Sequence, residues 1–180
     1  VIIHAKELFS SVSRWIYLAL ISFVILGFGQ YFFLPDTKFL LQYGWDEHYY
    51  RMIGTVLDPN YMGAMLGVIL IWGLVKNKQI LIFLSLIALV LTYSRASWLA
   101  TGIGILAWII RHLAEGNWGK LEKWVAGGIL IVFIVYLAAP KPGGEGINLM
   151  RVSSIEQRLN SWQEGISIWK EHPWLGVGFN

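Results

Sequence analysis

The sequence predicts an all-α, polytopic membrane protein with about five transmembrane helices. Its 180 residues are 56% hydrophobic and 14% charged, whereas roughly a quarter of the residues of a soluble domain are charged. The mean hydropathy is +0.57. With no cysteine, disulfides, thiolate metal sites and a cysteine nucleophile are excluded. Because the chain starts at Val1 and ends on an apolar "GVGFN", we expect it to be part of a longer protein.

Five apolar segments are predicted to span the membrane, each close to the 17–25 residues that a core of about 30 Å requires. The apolar stretch 79–110 is too long for one helix, which would also place Arg95 near the bilayer centre at a cost of at least ~2.5 kcal/mol. We therefore predict a helical hairpin that turns at Ser94-Arg95. The predicted spans are 15–34, 59–75, 79–93, 96–110 and 124–139.

Basic residues predict the orientation of these spans. Short connections rich in Lys and Arg stay cytoplasmic, and the connections 76–78 and 111–123 together hold five of them. The hairpin places both connections on one side of the membrane. The loop 35–58, the hairpin turn and the segment 140–180 are then predicted to lie outside.

The segment "DPNY" begins the second predicted span. Asp58 is a good N-cap, and Pro59 is favoured at the first helical position. Capping alone explains this pair, but it does not require Asn60 or Tyr61. A second role for these two side chains therefore stays open.

Arg95 lies between two short apolar spans, with Tyr93, Ser94 and Trp98 around it. An arginine at a helix end can extend its guanidinium to the lipid headgroups without any further role. An ionisable residue at this depth is nevertheless a candidate functional residue, and we favour that interpretation.

The last outer segment predicts an external amphipathic helix over 154–171. Ser153 and Glu156 match a capping box, and Pro173 ends the helix. We expect the helix to lie on the outer face of the bundle or of the membrane. Its apolar stripe at helical spacing consists of Ile155, Leu159, Trp162, Ile166 and Trp169.

Ionisable clusters give little support for other chemistry. The four histidines lack metal-ligand spacing, so we expect no metal and no cofactor. The run Asp46-Glu47-His48 is the only cluster of proton-active groups, and a solvated loop is the preferred interpretation of it. Neither a Ser-His-Asp set nor paired carboxylates are recognisable.

Three motifs in this order resemble the O-antigen ligase-like membrane protein family, which includes O-antigen ligases, polysaccharide polymerases and some protein O-oligosaccharyltransferases. The resemblance covers the chain from about residue 15 onward and makes 1–180 part of one such membrane domain. The motifs are "RMIGTVLDPNYMG" at 51–63, "LTYSRASWLA" at 91–100 and "RLNSWQEGISIWKEHPWLGVGFN" at 158–180.

The resemblance implies a fold related to the GT-C glycosyltransferases and a multi-pass enzyme of the bacterial inner membrane. Such an enzyme transfers a glycan from undecaprenyl diphosphate to a lipid or glycan acceptor at the outer face, among membrane lipids, without a nucleotide sugar or a nucleic acid partner. A histidine that activates the acceptor is expected beyond Asn180. The catalytic residue is therefore not identified, and we expect these 180 residues alone to be inactive.

The resemblance also assigns diphosphate binding to Arg51, Arg95 and Arg158. Chemistry favours the same role, because a diphosphate leaving group develops charge that a metal or arginines must stabilise. Guanidinium groups bind phosphate through two parallel hydrogen bonds. We predict that Asn60, Tyr61 and Ser94 line the pocket that these arginines form.

Two other functions stay open. A metal-dependent GT-C glycosyltransferase would use Asp46 or Glu47 as its base and would lose activity with a chelator. A transporter or flippase of an anionic lipid-linked glycan would keep the arginines but form no new bond. The near absence of charge within the predicted spans argues against a transporter.

Overall fold

The regular structure of the described chain consists of helices. The computed structural model describes residues 2–116, 118–143, 152–174 and 176–178, with side chains for 12–116, 125–143, 159–174 and 176–178. The predicted all-α class is confirmed for these residues. Their helices are α1 (Ile2–Phe33), α2 (Pro59–Val75), α3 (Gln79–Leu91), α4 (Arg95–Ala114), α5 (Trp118–Ala138) and α6 (Val152–Glu171), with 3₁₀ turns at Lys38–Tyr43 and Gly54–Val56.

Helix ends agree with the predicted span ends where local signals are strong, and elsewhere the helices extend beyond the predicted spans. α2 has the predicted limits, and the helical hairpin is confirmed, since α3 ends at Leu91 and α4 begins at Arg95. The helix that contains the first predicted span extends further, since α1 begins at Ile2 whereas the span was predicted from 15. α5 likewise begins at Trp118, before the span predicted from 124. Charged residues before an apolar run are compatible with a helix and simply extend it.

Two described helical segments are long and apolar enough to cross a membrane, Val12–Phe33 in α1 and Arg95–Ala114, which is α4. Three shorter apolar helices accompany them: α2, α3 and the segment Val125–Ala138 of α5. The helical content and these segments agree with a membrane helical protein. The arrangement of five spans stays a prediction.

Residues Val1–Gly146 form one compact unit in which α3 packs against α1, α2, α4 and α5. Small residues bring α2 and α4 close together. A Cβ atom on Gly63 would lie 2.6 Å from Ser97 Oγ, and one on Gly67 would meet Thr101 Oγ1. Pairs of small residues four apart allow this close approach of helix backbones. The buried core of the unit includes Val24, Met52, Met62, Leu66, Leu70, Leu81 and Ala88.

Residues Ile147–Asn180 form a second unit, which contains α6. The helix predicted over 154–171 is confirmed, since α6 covers Val152–Glu171. The described residues of its apolar stripe, Leu159, Trp162, Ile166 and Trp169, are exposed. Its place on an outer face stays a prediction.

Candidate functional site

Three helix ends meet in the first unit: the end of α3 and the starts of α2 and α4. The backbone N–H of Met52 donates to the carbonyl of Leu91 at 2.9 Å, which ties the loop before α2 to the end of α3. We call residues 51–54, 58–61 and 91–97 the polar junction. It contains five of the six predicted site residues.

Asp58 begins α2 as the sequence predicts. Its Oδ1 accepts hydrogen bonds from the backbone N–H groups of Asn60 at 2.7 Å and Tyr61 at 2.8 Å. Its backbone is extended, and Pro59 takes the first helical position. The cap therefore fixes the direction in which Asn60 and Tyr61 leave the loop.

Asn60 joins the starts of α2 and α4. Ser94 Oγ donates to Asn60 Oδ1 at 2.9 Å, and Ser97 Oγ donates to the Asn60 carbonyl at 3.2 Å. The two serine hydroxyls lie 2.9 Å apart. Ser94 is also the N-cap of α4, so one residue starts a helix and holds a neighbouring one. The predicted proximity of Asn60 and Ser94 is thus present.

Arg51 closes the end of α3. Its Nε donates to the carbonyl of Thr92 at 3.0 Å, and a terminal nitrogen donates to the carbonyl of Tyr93 at 3.4 Å. Arg51 is only 4% exposed. Among the described residues, its other N–H groups have no hydrogen-bond partner, although a guanidinium carries five. The side chain is therefore held in place while part of its donor capacity is unused.

The turn between α3 and α4 is fixed from several sides. Trp98 Nε1 and Thr92 Oγ1 both donate to the Leu89 carbonyl, at 2.9 and 2.7 Å. Tyr93 has φ +52°, in the left-handed region that non-glycine residues rarely adopt. Such a conformation persists where surrounding contacts determine it. Arg95 follows two residues later, so these contacts also set the position of its backbone.

The charges of Arg51 and Arg95 interact. Burial lowers the pKa of the Arg51 guanidinium, Asp58 opposes that change, and the charge of Arg95 adds to it. Arg51 nevertheless stays protonated, because an arginine does not lose its proton in proteins. Arg95 is exposed. The polar junction therefore holds one buried cation, which Asp58 partly balances, and one exposed cation, an arrangement that favours binding of an anion.

Gln30 of α1 holds the loop that carries Arg51. Its Oε1 accepts from the N–H groups of Ile53 at 2.8 Å and Gly54 at 3.1 Å. Its Nε2 donates to the carbonyls of Leu34 at 3.1 Å and Arg51 at 3.4 Å. Nothing in the local sequence indicates this role, since the partners lie up to 24 positions away. Sequence reasoning missed it.

The run Asp46-Glu47-His48 is not a uniformly solvated loop. Asp46 is exposed, but His48 is buried, and both its backbone N–H and its carbonyl bond the Thr37 hydroxyl. Burial lowers the pKa of His48 below the usual 6.5, and the charge of Arg51 lowers it further, whereas Asp46, Asp58 and Glu47 oppose the change. The Nδ1 atom of His48 has no hydrogen-bond partner among the described residues.

A groove of about 830 Å³ runs along α2 and α4 from the polar junction. Tyr61 and Asn60 line it at the junction, and Ala64, Val68 and Ala100 belong to its apolar remainder. Tyr61 is 72% exposed. The junction and the groove together offer hydrogen-bond donors and positive charge next to an apolar channel.

The structure brings together five of the six predicted residues: Arg51, Asn60, Tyr61, Ser94 and Arg95. The side chain of Arg158 lies outside the described residues, and its backbone belongs to α6 in the second unit. Ser97 and Trp98 join the site although the sequence assigned them no role. Helical spacing offers a signal for Ser97, because it lies one turn after Ser94.

Comparisons with known proteins identify one relationship. The family model described as O-antigen ligase matches residues 80–180, which is more than half of the chain. No curated protein and no solved structure matches the chain. Among the described residues, no cluster of three or more His, Asp or Glu side chains could hold a metal ion.

Proposed function

Because the chain belongs to the O-antigen ligase family, we propose that it transfers a glycan from undecaprenyl diphosphate to a lipid or glycan acceptor. The family is one of membrane-associated enzymes that act on lipid-linked glycans in ligase or polymerase reactions. The proposed place of transfer is the outer face of the bacterial inner membrane, with the helices of the first unit crossing the bilayer.

One observation carries the proposal: the polar junction, which contains two arginines, lies at one end of an apolar groove that its residues Asn60, Tyr61 and Ser97 help to line. A lipid-linked glycan has a charged diphosphate attached to a long apolar chain. The polar junction supplies positive charge for the first part, and the groove along α2 and α4 supplies an apolar surface for the second. This match supports a lipid diphosphate as the substrate.

We assign direct contact with the diphosphate to Arg95 and Arg51. Arg95 is exposed, and Arg51 keeps N–H groups without a partner among the described residues. Arg158 is assigned to the same diphosphate on its motif match alone. As the acceptor hydroxyl attacks the anomeric carbon, its proton passes to a general base, the bond from that carbon to the diphosphate oxygen breaks, and the electron pair of this bond stays on that oxygen. Fixed guanidinium groups stabilise that developing charge.

Asn60, Tyr61 and Ser94 are proposed to line the site. The Asn60–Ser94 hydrogen bond fixes the start of α4 beside that of α2. Tyr61 stands exposed at the start of the groove, where a phenol ring can contact an apolar chain and direct its hydroxyl toward polar groups.

The test replaces Arg95 by lysine, which keeps the charge but loses the planar set of donors. We expect Arg95→Lys to lower transfer by about 10²–10³-fold in membranes at equal protein level, as the loss of one transition-state donor does. The matched control is Arg111→Lys in the last turn of α4, where the arginine is exposed and pairs with Glu115. Equal rates for the two variants would contradict the proposal.

A further inference from the structure

The side chain of Gln30 uses its full hydrogen-bonding capacity at one place. Its carboxamide makes four hydrogen bonds, all to backbone groups, and three of them go to residues 51–54. An amide offers two acceptor lone pairs and two N–H donors, so none is left for another partner. Gln30 lies one turn before the end of α1 and is half-buried.

The contacts continue from Gln30 to the α3–α4 turn. Gln30 holds the backbone on both sides of Met52, whose N–H bonds Leu91. On the same segment, Arg51 donates to the carbonyls of Thr92 and Tyr93. A displacement of this segment would therefore move the Arg51 guanidinium and release the turn that precedes Arg95.

We propose that Gln30 is a positioning residue for the transfer reaction: it sets the place of the Arg51 guanidinium and, through the α3–α4 turn, that of Arg95. This inference rests on the proposed function of the polar junction. Gln30 touches neither the diphosphate nor the acceptor. Its effect on the reaction comes from geometry, because stabilisation of a developing charge depends on donors that are already in place.

Glutamine suits this task better than its close relatives. Glutamate keeps the acceptors for Ile53 and Gly54 but loses both donors and places a negative charge against the carbonyls of Leu34 and Arg51. Methionine has a similar length but makes none of the four hydrogen bonds. The two variants therefore remove different parts of the same contact and can be compared directly.

The first measurement is transfer activity at equal protein level. A misplacement of about 1 Å can cost a reaction about 10²-fold. We expect Gln30→Met and Gln30→Glu each to lower the rate by about tenfold to a hundredfold. The matched control is Gln79→Met, an exposed glutamine at the first position of α3. If Gln30→Met does not accumulate, Gln30→Glu decides. A parental rate in the variant that accumulates would overturn the inference.

The second measurement separates positioning from a general loss of folded protein. Gln30→Met is combined with Arg51→Lys in one double variant. If Gln30→Met does not accumulate, Gln30→Glu takes its place in the double variant. If Gln30 acts through Arg51, the loss in the double variant is clearly smaller than the product of the two single losses, since coupled residues are not additive. If Gln30 only supports the bundle, the two losses multiply, and that result would overturn the inference.

The third measurement does not depend on activity. The chain has no native cysteine, and Ile53 is 1% exposed. A cysteine in place of Ile53 therefore reports whether the loop before α2 keeps this position buried. We expect a water-soluble maleimide to react at least about tenfold faster with this cysteine when Gln30 is replaced by methionine or glutamate. Unchanged labelling would refute the positioning step.

Measuring Arg95→Lys in parallel distinguishes failure of the proposed function of the polar junction from failure of the proposed role of Gln30. If Arg95→Lys is fully active, the proposed function of the polar junction fails, whatever Gln30 does. If Arg95→Lys loses activity while both Gln30 variants keep it, only the role of Gln30 fails.

Discussion

The two ends of the α2–α4 bundle carry positive charge in different ways. At the polar junction, Arg51 is 4% exposed and donates to two backbone carbonyls. At the opposite end, Arg111 has a 71% exposed side chain and pairs with Glu115, while Lys76 and Lys78 are exposed as well. Burial of a charge costs free energy unless hydrogen bonds compensate it, whereas an exposed cation requires no such support.

The difference separates two uses of basic residues in one bundle. Exposed lysines and arginines in short connections set orientation through their number, and almost any arrangement serves. A buried arginine needs a set of partners, here built by Gln30, Thr92, Tyr93 and the loop between them. The burial of Arg51, rather than the count of charges, therefore marks the polar junction as the candidate site.

The largest expected effect is an all-or-none difference in labelling between the two ends of the bundle, which are predicted to lie on opposite sides of the membrane. Thr55 lies in the 3₁₀ turn before α2, and Gln79 begins α3 beyond the far end of α2; both are exposed. We expect Thr55→Cys to react with an impermeant maleimide on intact cells and Gln79→Cys to react only after permeabilisation. Labelling of both from the same side would break the predicted topology.

The next effect concerns the close contact of α2 and α4 beside the polar junction. A Cβ on Gly63 would lie 2.6 Å from Ser97 Oγ and 3.2 Å from Ser94 Cβ. We expect Gly63→Ala to lower the free energy of unfolding by about 1–3 kcal/mol, as overpacking does. The measurement is the Tm of the purified protein in detergent.

The matched control for this change is Gly102→Ala. Gly102 lies on α4 with nothing within 4 Å of the added Cβ among the described atoms. Alanine favours a helix over glycine by about 0.5–1 kcal/mol, so its Tm should be unchanged or slightly higher. Similar losses for both variants would contradict the packing role of Gly63.

The smallest effect compares the starts of α2 and α3, which lie at opposite ends of the bundle. Asp58 caps α2 through two N–H groups, whereas the residue at the N-cap of α3, Lys78, makes no side-chain capping hydrogen bond. We expect Asp58→Ala to lower the free energy of unfolding by about 1 kcal/mol, because the helix loses its N-cap. Lys78→Ala should lower the free energy of unfolding by less, about 0.5 kcal/mol, because it removes the contact of the Lys78 ammonium with the ring of Tyr17. Thermal unfolding distinguishes the two, and the reverse order would refute the capping role.

The features of the fold that could be predicted are those that depend on residues close together in the sequence. The limits of α2 follow from Asp58-Pro59 at one end and the polar connection at the other. The turn before Arg95 follows from the cost of a charge inside the bilayer. Helix continuation through charged residues was missed at α1 and α5, because apolarity marks a membrane span and not the ends of a helix.

Long-range hydrogen bonds account for most of what the sequence did not predict at the site. Arg51 was assigned to the diphosphate by its motif, but its bonds to Thr92 and Tyr93 join residues 41 and 42 positions apart. Spacing along one helix contains no information about such a pair. The same holds for Gln30, which looks like one polar residue near the end of an apolar helix.

The three helix ends at the polar junction differ in how their backbone dipoles are balanced. A helix carries about half a positive charge at its N-terminus and half a negative charge at its C-terminus. The carboxylate of Asp58 offsets the positive end of α2, and the guanidinium of Arg51 offsets the negative end of α3. The neutral hydroxyl of Ser94 caps α4 without cancelling its partial charge. The positive end of the α4 dipole therefore adds to the charge of Arg95, at the helix start where that residue is exposed.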